Sequence, residues 1–234
     1  MNLYWISRKE TLQKPLTQRC IILDLDETLV HSSEDYLKLM RLRPFNDPAM
    51  LDLRPRMYNL SLNGYDKPPS VWGITRPHVE EFLLFCTGYF SKVCVWSAGI
   101  PEYVRQIVDL IFPIGFKPHA VYNRNHCHYT PNGDLFKPIE KMARDEGWEK
   151  ILRLDNTFFV DDRPQVFLKN PDNGILIPPY EPSGSYYSYL QDDPTLPELM
   201  EWLMKPEVLQ VKDVRLLDKS RIFSRSQYRR QFTG

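Results

Sequence analysis

Two aspartates, Asp24 and Asp26, stand one residue apart at the end of the apolar run Cys20 to Leu23, in the stretch CIILDLDETLVHS. A second acidic pair, Asp161-Asp162, closes another apolar run, NTFFV. Between them in the chain, Ser97 follows KVCVW and Lys137 opens KPIEKMARDEG. Carboxylates gathered in one place repel, by about 4 kcal/mol for two unit charges 4 Å apart at an effective dielectric near 20. Folding gains nothing from that, so something must neutralise or use them. A hard divalent cation relieves the repulsion, and an all-oxygen ligand set suits Mg²⁺, which keeps several waters and shares its shell with phosphate. Lys137, Ser97 and the backbone N–H groups opening a helix at Pro101 add a receptor for a phosphoryl group. The chemistry that these residue types fit is phosphoryl transfer to a carboxylate.

On that expectation the roles separate. Asp24, at the strand end, attacks phosphorus and becomes an aspartyl phosphate. Asp26, on the same side by the period of two, protonates the leaving oxygen and later activates the hydrolytic water. Neighbouring carboxylates favour its protonated form, while a metal pulls the other way. A metal touching residue 26 is better placed on the backbone carbonyl, which leaves the carboxyl free. Thr28 braces the loop, and Thr28, Ser97, Ala98 and Lys137 are the candidate phosphate-binding residues, with Lys141, one turn on, the alternative to Lys137. Each feature alone has a plainer reading: strand-end aspartates cap turns, and Ser97 alone is a helix N-cap. The functional reading rests on their occurring together and in order.

The elements that must position these side chains follow from apolar periodicity. Cys20 to Leu23, Lys92 to Trp96, Asn156 to Val160 and GILIPP read as buried strands. RPHVEEFLLFC reads as a helix with Pro77 in its first turn and Val79, Phe82, Leu83 and Cys86 on one stripe. A second helix starts at Pro101 with Val104, Ile107, Val108 and Ile111 inward. A third starts at Pro138 and ends at Gly147 as its C-cap. LPELMEWLM makes a late helix. HAVYNRNHCHYTPNGDLF reads as strands around a turn at Pro131-Asn132-Gly133, and MYNLSL as the leading strand of a hairpin turning at Asn63-Gly64. Strands alternating with helices predict an α/β fold with a parallel sheet and right-handed crossovers. Ligands bind such sheets beyond the carboxyl ends of the strands, where Asp24, Asp26, Ser97, Asp161 and Asp162 all fall.

The ordered set Asp24-x-Asp26-x-Thr28, Ser97, Lys137 and Asp161-Asp162 resembles the haloacid dehalogenase superfamily of phosphatases. Within it, LDLDETLVHS, RPHVEEFL, VCVWSAGIPEYV and FFVDDRP are similar to the branch of protein serine/threonine phosphatases acting on the RNA polymerase II C-terminal domain. The resemblance runs from about Cys20 to Leu217. It implies a Rossmann-like α/β fold and Mg²⁺ bound by Asp24, the main-chain carbonyl of Asp26, and Asp162. It also implies that Asp161 stands behind the ligands and orients Lys137. Ser97 replaces the family's usual threonine and keeps the hydroxyl.

The same reading divides the chain into an N-terminal extension (1–18), a phosphatase domain (19–217) with an inserted Pro- and Arg-rich hairpin segment (36–74), and a basic tail (218–234). Neither inter-motif segment looks able to fold as a separate helical lid. An uncovered cleft favours a phosphorylated protein or peptide as substrate. Arg41, Arg43, Arg54 and Arg56 are expected to help bind an acidic partner, and Tyr58, Tyr65 and Trp72 to pack against a proline beside the phosphoresidue. Plainer readings are that the arginines are solvated and the aromatics pack the hairpin. The formal net charge is zero, from 30 Lys and Arg against 30 Asp and Glu, so no global field draws the chain to nucleic acid or to membrane. Nucleic-acid binding is disfavoured, although KSRIFSRSQYRR is basic. His126 and His128 in NHCHY are expected on one side of a strand but lack companions for a structural zinc. The opening residues lack a signal peptide's apolar core and no segment approaches a membrane span, so an intracellular protein, nuclear or cytoplasmic, is expected. Two alternatives stay open: the same chemistry on a nucleic-acid 3′-phosphate or a metabolite, and a non-catalytic phosphopeptide-binding module.

Overall fold

The computed structural model describes residues 14–35, 37, 38, 48, 51–62, 71–182 and 186–223. In chain order the elements are β1 (Cys20–Leu23), β2 (Val30–Ser33), β3 (Met57–Leu60), β4 (Val71–Thr75), α1 (Val79–Tyr89), β5 (Lys92–Trp96), α2 (Pro101–Ile111), β6 (Ala120–Tyr122), β7 (His128–Tyr129), β8 (Leu135–Phe136), α3 (Ile139–Asp145), β9 (Thr157–Asp161), β10 (Gly174–Leu176), α4 (Tyr186–Leu190), α5 (Thr195–Leu203) and α6 (Pro206–Gln210). Five strands form one sheet in the order β10-β9-β1-β5-β6, every pairing parallel. β1 is central, with Leu23 level with Val95 on one side and Val160 on the other. Asp24 therefore lies level with Trp96 and Asp161, and the chain leaves the neighbouring strands one residue further on, at Ser97 and Asp162. This is the expected α/β architecture.

Strand alternation divides the apolar residues between two cores. Ile21, Leu23, Val93, Val95, Phe158 and Val160 pack with the inward stripes of α1, α2 and α5. On the opposite face Cys20, Ile22, Cys94, Trp96 and Phe159 pack with Ile139, Met142 and Ala143 of α3. Asp24 and Asp161 continue the parity of that second face, so their side chains emerge on the side that carries α3 and, two residues before it, Lys137. The stripes expected on α1 and α2 are all buried. Gly147 follows α3 at φ 67° and closes it with paired bonds from Gly147 N–H to Arg144 O and from Trp148 N–H to Ala143 O. The four cysteines are free: Cys20, Cys86 and Cys94 are buried and Cys127 half-buried.

Some local expectations shift. α1 begins at Val79, and the residue before it, His78, takes the left-handed φ of 65°; Pro77 therefore precedes the helix. β6 joins the parallel sheet as its fifth strand, and His126 lies in a 3₁₀ turn (Arg124–His126) capped reciprocally with Asn123, so His126 and His128 do not share a strand face. Ile222 and Phe223, within the stretch read as a basic tail, are buried in the larger core. Between β2 and α1 the strands β3 and β4 pair antiparallel, Met57 with Ile74 and Leu60 with Val71, and β2 joins the other side of β4. The predicted turn at Asn63-Gly64 lies outside the described residues. So do Arg41, Arg43 and Tyr65.

Tyr58 and Trp72 were expected at a peptide-binding surface, but they are 5% and 2% exposed. Tyr58 belongs to the main core and Trp72 packs with Leu53, Ile74, Tyr180 and Tyr189. Burying a large ring against apolar neighbours outweighs leaving it at an open surface. Arg56 spends its guanidinium on Thr75 O and the Tyr180 hydroxyl. Among the described residues no helix is long and apolar enough to cross a membrane.

Candidate active site

The loop leaving β1 is a tight turn built on one carbonyl. Leu25 O accepts the N–H groups of Thr28, Leu29 and Val30. Glu27 at its tip is held at φ 55°, an uncommon conformation for a residue with a side chain. Three contacts keep it there: Tyr180 N–H donates to Glu27 O at 2.6 Å, Glu27 N–H donates to Val30 O at 2.8 Å, and His31 Nδ1 lies 3.1 Å from Glu27 Oε1. Arg76, itself buried, donates to Thr28 O at 3.0 Å. The turn fixes Asp24 and Asp26 on rigid backbone beside the ends of β5 and β9.

Lys137 reaches this edge from the approach to α3. Its Nζ is 2.7 Å from Asp24 Oδ1, 2.6 Å from Asp161 Oδ2 and 2.8 Å from Trp96 O. The ammonium has three protons and three acceptors. Burial alone would lower its pKa, but the Asp24 and Asp161 carboxylates outweigh burial and raise it, so the group stays charged. Lys141 is turned away and pairs with Asp145 at 2.5 Å. The other Asp161 oxygen accepts the Arg163 N–H at 2.9 Å, so Asp161 is engaged on both sides.

One carboxylate oxygen from each of Asp24, Asp161 and Asp162 lies within 4.8 Å of the others. Burial, and then the Asp161 charge, push the Asp24 carboxyl well above its ordinary range against the pull of Lys137. Burial, then Asp161 and Glu27, push Asp162 up to about 6. One ammonium thus faces three carboxylates, and the surplus negative charge and all-oxygen donor set are what a hard divalent cation satisfies. The Asp26 carboxylate stands apart from the trio. Tyr103 donates its hydroxyl proton to Asp26 Oδ1, and Ser97 Oγ lies 3.3 Å from Asp26 Oδ2. Burial raises the pKa of Asp26 while the Tyr103 bond opposes that rise.

Ser97 is fully buried, and its Oγ also accepts the Gly99 N–H at 2.9 Å. Ala98 follows it in the loop to α2, where its carbonyl accepts from Arg124 Nε at 3.1 Å. Thr28 is fully buried and its Oγ1 has no hydrogen-bond partner. The structure therefore brings together Asp24, Asp26, Ser97, Lys137, Asp161 and Asp162, with Thr28 in the supporting turn. It adds Tyr103 and Arg76, whose parts were not foreseen. Tyr103 lies in the first turn of a helix opening at a strand end, a position whose polar atom points at the site, and that was the signal available.

The family model of NLI interacting factor-like phosphatases matches residues 19–215. Phosphatase PSR1 of Saccharomyces cerevisiae is 29% identical over 195 residues, covering 83% of this chain and 37% of that protein. The human carboxy-terminal domain RNA polymerase II polypeptide A small phosphatase 1 is 26% identical over 179 residues, covering 74% of this chain and 54% of that one. The chain thus spans about half the length, or less, of these relatives. Among solved structures, the fission yeast RNA polymerase II CTD phosphatase Fcp1 bound to beryllium fluoride superposes with a TM-score of 0.52 at 18% identity, over 92% of this chain and 56% of that chain, a likeness of fold.

Proposed function

The chain belongs to the NLI interacting factor-like phosphatases, and on that premise we propose that it hydrolyses phosphoserine or phosphothreonine in protein, with Mg²⁺, through an aspartyl phosphate on Asp24. The observation that carries this reading is the arrangement at the edge of β1. Lys137 fastens Asp24 by one oxygen only, leaving the second carboxylate oxygen to attack phosphorus. An acid, Asp26, waits two residues further on with a separate set of partners. A module that only bound phosphate would need neither.

In this mechanism Asp24 is the nucleophile. Lys137, held by Asp161, balances charge on the transferring group, where positioning and electrostatics supply nearly all of the catalysis. Asp26 gives a proton to the departing oxygen and later takes one from the attacking water. Ser97, the Ala98 backbone and Thr28 line the phosphoryl site. Mg²⁺ would be held by Asp24, the Asp26 carbonyl and Asp162, and it supplies charge neutralisation for the phosphoryl oxygens. A protein substrate is supported by the names of the relatives.

The test is phosphate release from a phosphothreonine peptide, with a 3′-phosphorylated oligonucleotide as competitor class. Turnover of the peptide is expected with Mg²⁺, lost after EDTA and restored by added Mg²⁺. Asp24→Asn is expected to lower kcat by more than about a thousandfold. Full activity after thorough chelation, or preference for the oligonucleotide, overturns the reading.

A further inference from the structure

The bonds leading away from Asp26 have a direction. Tyr103 owns one hydroxyl proton and gives it to Asp26 Oδ1, so towards Ser32, 2.5 Å away, its oxygen can only accept. Ser32 Oγ has then given its own proton to Tyr103, and it accepts from the Tyr58 hydroxyl at 2.7 Å. Each hydroxyl offers one proton and can take another. The order Tyr58 to Ser32 to Tyr103 to Asp26 gives every hydroxyl proton an acceptor at 2.7 Å or closer, whereas the reverse order leaves the Tyr58 proton only His31 O, at 3.5 Å. The hydroxyl chain's members come from β3, β2 and the first turn of α2; both tyrosines are buried, and Ser32 and Asp26 are half-buried. Room for Tyr58 is made by Gly73 on β4, where a Cβ would come within 2.3 Å of the Tyr58 ring.

The two oxygens of Asp26 thus face different surroundings. Oδ1 receives the hydroxyl chain through a short bond, and Oδ2 accepts only the longer bond that Ser97 Oγ donates at 3.3 Å. We infer that Tyr103 is a positioning residue that reserves Asp26 Oδ1 as an acceptor and so keeps the acid's proton on Oδ2, the oxygen on the phosphoryl side. This deepens the proposed phosphatase reading and rests on it. In the first chemical step a bond forms between an Asp24 carboxylate oxygen and phosphorus as the bond from phosphorus to the ester oxygen breaks. The ester oxygen takes the proton from Asp26 Oδ2. The products are a free serine or threonine hydroxyl, an aspartyl phosphate at residue 24 and a carboxylate at residue 26. Without the Tyr103 donor, the carboxyl can place its proton on Oδ1, aimed into the protein, where the leaving oxygen cannot reach it.

The experiment compares leaving groups. An alkoxide needs the acid, whereas 4-nitrophenolate departs with little help. The parameter kcat/KM covers the steps up to aspartyl-phosphate formation. Tyr103→Phe keeps the ring and removes the hydroxyl. Its kcat/KM is expected to fall at least about tenfold on a phosphothreonine peptide and less than about twofold on 4-nitrophenyl phosphate. In an Asp26→Asn background the same substitution should add no further loss on the peptide. Equal losses on the two substrates, or none on the peptide, overturn the inference. If Tyr103→Phe lacks a cooperative melt, Ser32→Ala decides, because it takes the donor from the Tyr103 oxygen and frees its torsion. The same split is then expected at about threefold, and equal losses again overturn it. Wild-type protein that turns over neither phosphate fails at an earlier stage, removing the phosphatase reading and this inference with it.

Discussion

Lys137 makes three hydrogen bonds with three protons, and nothing else in the described structure offers Asp24 and Asp161 a cation at bonding distance. Lys137→Met would leave two buried carboxylates facing each other. Removing one partner of a buried pair costs about 3–5 kcal/mol because the remaining charge is uncompensated. A loss of about that size in urea unfolding is expected, together with loss of phosphatase turnover. Lys137→Arg should fail as well, because a planar fork cannot reproduce three converging bonds from one nitrogen. Lys141→Met, by contrast, breaks a partly exposed pair with Asp145 and should leave the melting temperature nearly unchanged. Residue types and order were enough to bring Lys137 under consideration, but not to separate it from Lys141. Their difference is one of side-chain direction: Lys137 lies outside α3, on the strand-edge side, while Lys141 lies on its surface.

At the scale of elements, the small sheet β2-β4-β3 carries the hydroxyl chain, and its spacing depends on one glycine. A Cβ on Gly73 would lie 2.3 Å from Tyr58 Cζ and 2.5 Å from His31 O. The carbonyl is backbone and cannot yield without separating β2 from β4. Gly73→Ala is therefore expected to destabilise the fold by about 1–3 kcal/mol, read from denaturant midpoints. Its surviving folded fraction should show the same selective weakness on alkyl phosphates as Tyr103→Phe. The parallel strands and the stripes of α1 and α2 were legible because a two-residue or 3.6-residue apolar period reports burial directly. The hydroxyl chain was not. Period says which face of an element is inside, but not where a buried tyrosine's one proton goes. The start of α1 also differs from the expected one: His78 takes a left-handed φ ahead of Val79, and apolar period does not report a single residue's backbone angle.

Across the whole molecule, Arg76 ties together three segments far apart in the chain. It donates to Thr28 O behind the catalytic turn, to Pro178 O beyond β10 at 2.8 Å, and to Asp193 Oδ2 before α5 at 3.0 Å. Burial works to raise the pKa of Asp193, but the Arg76 charge and the bonds from Thr195 prevail and hold it below its ordinary value. A carboxyl depressed in the folded state stabilises fully above the unfolded pKa of about 3.9 and loses that contribution as pH falls through the lower folded value. Asp193→Ala is accordingly expected to cost about 3 kcal/mol at pH 7, and the gap to wild type should narrow below about pH 4. Urea titrations at neutral pH and near pH 3 measure both limbs. The buried thiols have a separate consequence at this scale. Cys20 and Cys94 sit on the adjacent central strands, Cys86 lies in α1, and burial raises the pKa of all three. None can meet an alkylating reagent until the sheet or its helical cover opens. Their modification, resolved by mass, would time that opening from inside the protein, with no dye to attach and no residue to replace.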